Sequence, residues 1–211
     1  MKSIILPVRD EPKLGEILTQ IHAVMSGDQY EVLIIMGDKE KLFSSIPPHP
    51  HQSVFVSYGD SLERSILLGF SVARGDKLLV LDADGSHPVS QIPEMFRTLD
   101  KCDMVIGSRY LPNSEFHYPL FRRFVAWCFR TYANFCGSSL SDPMSGFFAI
   151  KHTVLNDIKF KPFAWKTGLE ISVKMHSTII EMPVRIVKRN AGHSKANWRL
   201  GLKIMWDILW R

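Results

Sequence analysis

Cysteine is scarce in this chain: there are three, Cys102, Cys128 and Cys136, an odd number with no Cys-x-x-Cys pair among them. Neither a disulfide framework nor a thiolate zinc site is indicated, and a reducing compartment is expected. No stretch reaches the ~18 uncharged apolar residues of a membrane-spanning helix. The first residues offer only Ile4-Ile5-Leu6 before Pro7 and the charged run Arg9-Asp10-Glu11, too short for the apolar region of a signal peptide. Excess charge of either sign is also small, since 26 Lys and Arg against 21 Asp and Glu leave +5 over 211 residues. That balance does not call for a nucleic-acid partner, and it suits a phosphate-bearing substrate or an anionic membrane face. Repeats, low-complexity tracts and interdomain linkers are missing, so the expectation is one compact domain, cytoplasmic or peripheral on the cytoplasmic face of a membrane.

What is present is an alternation of short apolar runs with helical patterns, the signature of βαβ units and a parallel sheet. Strands are predicted at Ser3–Leu6, Val32–Met36, Val54–Val56, Leu78–Leu81 and Met104–Ile106. Leu14, Ile17, Leu18, Ile21 and Met25 recur at helical spacing and stop at Gly27, and Leu62, Ile66, Phe70 and Ala73 do the same up to Gly75. Asp60 with Glu63 is the expected cap of that second helix. A third helix, about Ser90 to Lys101, would bury Ile92, Met95, Phe96 and Leu99.

The sharpest chemical feature is Lys77-Leu78-Leu79-Val80-Leu81-Asp82-Ala83-Asp84-Gly85-Ser86-His87-Pro88, an apolar strand that ends in two carboxylates one residue apart. Where a strand ends the chain turns, so both carboxylates can converge on one cation. Open α/β sheets bind ligands at the carboxyl ends of their strands, which puts the site here. Mg²⁺ or Mn²⁺ held by Asp82 and Asp84, with substrate phosphates completing the shell, fits so sparse a ligand set. Standing alone, such a pair is more often a solvated acidic loop.

The surrounding motifs weigh against that reading. The run Gly69-Phe70-Ser71-x-Ala73-x-Gly75-Asp76, then Asp82-Ala83-Asp84, then His87-Pro88 with Ile92-Pro93-Glu94, resembles the dolichyl-phosphate mannose synthase branch of family 2 glycosyltransferases. The resemblance continues through Gly107-Ser108-Arg109-Tyr110, Tyr118-Pro119-Leu120-Phe121-Arg122-Arg123, Asp142-Pro143-Met144-Ser145-Gly146-Phe147-Phe148, Lys166-x-x-Leu169-Glu170-Ile171, Glu181-Met182-Pro183 and Arg189-x-x-Gly192-x-Ser194-Lys195. It implies a GT-A fold, a three-layer α/β/α sandwich around a mostly parallel sheet, over residues 1–197. It also implies a metal-dependent, inverting transfer of a sugar, mannose from GDP-mannose foremost, onto a dolichyl or polyprenyl phosphate.

By the same resemblance the donor diphosphate lies on the metal at Asp82 and Asp84, beside Ala83, with Ser86 where the family usually has an amide as a third metal-side group. Pro7, Arg9 and Glu11 fall where the first strand receives the nucleotide, and Arg189 with Lys195 brace the diphosphate. Arg109 and Arg122 hold the acceptor phosphate, with Arg123 in reserve for Arg122, since the arginine fork grips phosphate oxygens in pairs. Asp142 orients an arginine or the sugar, or is an ordinary turn former before Pro143. Two runs depart from the pattern: Met36-Gly37-Asp38-Lys39 replaces an acidic pair, leaving Asp38 as the base-pocket candidate, and Ser61-Leu62-Glu63 replaces a glycine turn. The choice between guanine and uracil nucleotides therefore stays open.

Two aromatic and basic segments point to a membrane surface or to a buried core. The helix predicted from Leu120 to Phe135 mixes Phe121, Phe124, Trp127, Phe129 and Tyr132 with Arg122, Arg123 and Arg130. The last, residues 198–211, confines Arg199, Lys203, Asp207 and Arg211 to one stripe and leaves Leu202, Met205, Trp206, Leu209 and Trp210 outside it, as in an interfacial amphipathic helix. Three other functions compete. A UDP-sugar-dependent transferase would share nearly every motif, a sugar-nucleotide pyrophosphorylase would need a glycine-rich loop where Leu6-Pro7-Val8-Arg9-Asp10 stands, and a non-catalytic binding module would not need Asp82, Asp84, Arg109 and Arg189 together.

Overall fold

The computed structural model describes residues 1–9, 11–37, 46–58, 61–114, 127, 130–131, 133–135, 137–160, 167–175 and 177–185. In chain order these form β1 (Lys2–Val8), α1 (Leu14–Val24), β2 (Tyr30–Gly37), β3 (Gln52–Ser57), α2 (Leu62–Val72), β4 (Lys77–Val80), α3 (Ile92–Thr98), β5 (Met104–Ser108), β6 (Phe148–Lys151), α4 (Thr167–Lys174) and β7 (Ile179–Pro183). The five strands and first two helices expected from periodicity are all there, with ends shifted by one or two residues. The third helix differs: 3₁₀ turns at Val89–Gln91 and Leu99–Lys101 flank a core of seven α-helical residues. Pro93 accounts for the late start, because a proline fits only the first turn of an α-helix.

The sheet order is β3-β2-β1-β4-β6-β5-β7. All neighbours run parallel except β6, which lies antiparallel between β4 and β5. Ile4, Leu6 and Val8 of β1 face α1 and α3 in one core, while Ile5 faces α2 and α4 in the other. Alternate residues of one strand thus feed both layers, which is why these strands read as unbroken apolar runs. Each fully buried Leu or Ile contributes about 1.5–3 kcal/mol relative to exposure, so the three-layer sandwich is held mainly from the middle outward.

Two polar contacts finish the layers. The second helix is capped by Ser61, whose Oγ accepts from the backbone N–H of Arg64 at 3.5 Å and donates to Glu63 Oε2 at 2.5 Å. The cap is therefore Ser61; Asp60 lies outside the described residues. At the amino edge of the sheet the buried carboxylate of Glu31 accepts from Ser3 Oγ at 2.7 Å, from the backbone N–H of Arg74 at 2.7 Å and from Arg74 Nε at 2.9 Å. Those bonds tie β1, β2 and the entry to β4 together. Among the described residues no helix is long and apolar enough to cross a membrane.

Candidate active site

The strand order reverses beside β1, with β2 and β3 on one flank and β4 on the other. A crevice opens at such a point, outside the carboxyl ends of the strands. Pairing of β1 with β4 stops at Ile5–Val80, so Pro7 sits beyond it, paired only with Ile35 of β2. A proline is tolerated there because its missing N–H faces no ladder. Pro7 is buried, Arg9 exposed and Glu11 half-buried at the mouth of the crevice.

β4 delivers the carboxylates. Ala83 is 1% exposed and belongs to the core, whereas Asp82 and Asp84 on either side are half-buried at the rim. Gly85 follows with φ +74°, and the backbone N–H of Ser86 donates to Asp84 Oδ1 at 2.8 Å. The left-handed residue is what lets so short a turn close, and glycine supplies it without strain. His87 then folds back until its Nε2 lies 3.3 Å from Asp82 Oδ2. Space for that carboxylate is kept by Gly146, where a methyl group would stand 3.0 Å from Asp82 Oδ2. Among the described residues no group of three or more His, Cys, Asp or Glu is arranged to hold a cation. Two carboxylates at an open rim therefore fit a Mg²⁺ or Mn²⁺ shared with substrate phosphates, and do not fit a closed protein cage.

The antiparallel direction of β6 brings a second chemical segment to the same rim. Because Val80 and Ile106 both pair with Phe148, the loop that precedes β6 must pass between the ends of β4 and β5. Asp142, 1% exposed, accepts from Arg109 Nε at 2.6 Å, from Arg109 Nη2 at 2.7 Å and from the Arg109 backbone N–H at 3.1 Å. Both readings of Asp142 are met in the structure, since its carboxylate holds Arg109 while its carbonyl accepts from the Ser145 backbone N–H at 3.2 Å in a turn over Pro143 and Met144. Glu181 of β7 clamps the same loop, accepting from the backbone N–H of Ser141 at 2.9 Å, from Ser141 Oγ at 2.8 Å and from the Asp142 backbone N–H at 3.2 Å. Ser145 Oγ donates to the carbonyl of Gly107 at 2.7 Å. In the sequence Glu181, Ser145 and Gly146 are only letters of motifs and Ser141 belongs to none, because their partners lie tens of residues away.

A cleft runs from Asp82 to the β6 loop, lined by Leu62, Glu63 and Ile66 of α2, by Asp82, Ser145, Gly146 and Phe148, and by Thr167 and Gly168 of α4. The first turn of α2 faces it, so the positive dipole end of that helix favours an anionic ligand. Asp38, Arg122, Arg123, Arg189, Lys195 and residues 198–211 lie outside the described residues.

An open, mostly parallel sheet with acidic residues at its switch point and an arginine opposite is the arrangement of the GT-A fold. Solved structures agree: mannosyl-3-phosphoglycerate synthase from Rubrobacter xylanophilus superposes with a TM-score of 0.71 at 16% identity, over 99% of this chain and 71% of that one. Glucosyl-3-phosphoglycerate synthase from Mycobacterium tuberculosis, solved with Mn²⁺, UDP-glucose and glycerol 3-phosphate, gives 0.68 at 12% identity, over 99% and 79%. At sequence level, residues 3–159 match glycosyl transferase family 2, and the chain belongs to that family. It is similar to the dolichol-phosphate mannosyltransferase of Pyrococcus furiosus, 28% identical over 92% of this chain and 58% of the relative. The enzyme of the same name from Saccharomyces cerevisiae is 31% identical over 70% of this chain and 59% of its own length. The chain thus spans about three fifths of the length of these relatives.

Proposed function

We propose that this protein transfers a sugar from a nucleotide-diphospho-sugar, mannose from GDP-mannose foremost, to a dolichyl or polyprenyl phosphate with inversion at the anomeric carbon. The observation that carries the reading is the meeting, at one rim, of Asp82 and Asp84 after β4 with an Arg109 fixed by Asp142. Its relatives named for dolichol-phosphate mannosyl transfer support the acceptor class.

An acceptor phosphate is already anionic near neutral pH, so the chain needs no strong base. One of its oxygens attacks the anomeric carbon as the bond to the nucleoside diphosphate breaks, and inversion follows from the single displacement. Rate then comes from alignment and charge stabilisation. Asp82 and Asp84, with Ser86 nearby, would hold a Mg²⁺ or Mn²⁺, which would supply Lewis-acid neutralisation of the departing diphosphate. Pro7, Arg9 and Glu11 at the end of β1, Asp38 after β2, Ala83, Arg189 and Lys195 form the donor side. Arg109, Arg122 and Arg123 form the acceptor side, where Asp142 holds the fork of Arg109 in place.

A lipid-borne acceptor requires access to a membrane surface. Trp127, 54% exposed, and Phe135, 90% exposed, stand on helical residues after the Arg122-Arg123 pair, and tryptophan favours the interface. Residues 198–211 would add a second interfacial segment.

The decisive experiment incubates the protein with polyprenyl phosphate in detergent and radiolabelled GDP-mannose or UDP-glucose, with Mn²⁺, Mg²⁺ or chelator. Metal-dependent labelling of the lipid from GDP-mannose is expected. Labelling from UDP-glucose alone moves the donor to the uracil class, which the altered run after β2 leaves room for, and a folded protein that labels no lipid from either donor refutes the proposal.

A further inference from the structure

His87 is the one side chain among the described residues with a buried polar atom that lacks any hydrogen-bond partner, its Nδ1. The ring is 9% exposed and stacks on Phe147 with centroids 5.3 Å apart and planes inclined by 22°. A phenyl ring would fill the same space without stranding a nitrogen, because a buried polar group with no partner costs stability. Packing alone gives no reason for histidine here. The other nitrogen does: Nε2 lies 3.3 Å from Asp82 Oδ2. An ionised carboxylate only accepts, so Nε2 carries the hydrogen that meets it.

We propose that His87 is a positioning residue that fixes the rotation of the Asp82 carboxylate, through Nε2–H to Oδ2 and the stack on Phe147, in the orientation the divalent cation needs. This rests on the reading of Asp82 as a metal ligand. The carboxylate is held from two sides. Gly146 crowds it from the β6 loop, since a methyl group there would stand 3.0 Å from Oδ2, and His87 donates to it from the turn after β4. Outer partners of this kind set ligand orientation before the cation arrives, and their loss typically weakens metal affinity about 10- to 100-fold.

The test measures Mn²⁺ binding by electron paramagnetic resonance, alone and with GDP or UDP, in the unsubstituted protein and in Asp84→Asn, His87→Phe and His87→Gln. Glutamine can place an N–H near the position of Nε2, whereas phenylalanine keeps the stack and loses the donor. His87→Phe is expected to melt no lower than the unsubstituted protein yet bind Mn²⁺ about tenfold more weakly, with His87→Gln recovering most of the loss. Unchanged binding in His87→Phe, or an equal loss in both variants, overturns the proposal. If Asp84→Asn abolishes binding while His87→Phe binds Mn²⁺ as tightly as the unsubstituted protein, only the role of His87 fails. If the unsubstituted protein binds no Mn²⁺ under any condition, the metal reading fails and takes this one with it. Should His87→Phe not fold, His87→Met replaces it as the variant without the donor. Imidazole ¹⁵N spectroscopy reads the contact directly: the Nε2–H tautomer is expected, and an Nδ1–H tautomer overturns the proposal.

Discussion

Asp142 carries a full carboxylate at 1% exposure, and its partner Arg109 keeps only 21% of its side chain in water. Such a pair is not a simple source of stability, because bringing both charges out of water offsets most of their attraction. Its value is asymmetric. Arg109→Met should destabilise the fold by about 3 kcal/mol, since the Asp142 carboxylate stays buried without its guanidinium, while Arg109→Met with Asp142→Leu should lose less than either single change. Urea unfolding of the three variants measures this, and simple additivity would show that the pair is not coupled. Gly146 poses the opposite case, a residue valued for what it lacks. A methyl group 3.0 Å from Asp82 Oδ2 forces the carboxylate or the loop to give by a few tenths of an ångström. Gly146→Ala should therefore barely change the melting temperature yet lower lipid-phosphate glycosylation by roughly tenfold to a hundredfold, as small misplacements near reacting groups do. Full activity would mean that the loop shifts freely and that Asp82 is not held from this side.

Elements divide by how much of their cause is local. Leu14, Ile17, Leu18 and Ile21 announce α1, and Val32–Met36 announces β2, because the partners of these residues are the neighbouring layers and any apolar face will serve. β6 and β7 gave no such signal. Phe148–Lys151 is four residues long and follows a loop full of turn formers, and its antiparallel direction is fixed by β4 and β5, not by its own pattern. Ile179–Pro183 has a half-buried edge and a carboxylate, Glu181, whose partners sit 39 and 40 positions earlier. The acidic pair at Asp82 and Asp84 was legible as a strand followed by a turn, but that Arg109 is the arginine Asp142 holds was not, since nothing in the spacing reports a loop folding back. Ser61 shows the limit at a single helix end. Asp60 and Ser61 are both good capping residues, and only the backbone decides between them. Ser61→Ala should cost about 1 kcal/mol, read from the urea midpoint; no loss would mean that the α2 N-terminus is satisfied by other groups.

Across the whole molecule the two ends of the sheet do different work. The carboxyl rim gathers Asp82, Asp84, Arg109 and Gly146, whereas the amino edge gathers groups whose ionisation is tied to folding. Burial pushes the Glu31 carboxyl up, but the Arg74 backbone N–H, Ser3 and the Arg74 guanidinium together hold it below its ordinary 4.5. Lys151 and Thr178 hold Asp103 below 3.8. Burial lowers His22 from 6.5, the Gln52 hydrogen bond raises it, and the charges of His49 and His51 lower it further. The ring of His22 stacks on that of His49 with centroids 3.5 Å apart, so protonation would put like charges in contact. Each of these folded values lies below the unfolded one, so each group adds stability above its unfolded value and loses that contribution as pH falls through its folded value. The sign is the same for all three. Melting temperature should therefore be flat from pH 8 to about 7, decline gently below 6.5 as His22 resists charging, and fall steeply below 4.5 as Glu31 and then Asp103 are protonated. His22→Gln should remove the gentle limb and keep the steep one. Asp84→Asn, at the opposite rim, should leave both limbs where they are. A curve whose gentle limb survives in His22→Gln would show that the histidine cluster at the amino edge does not govern acid stability.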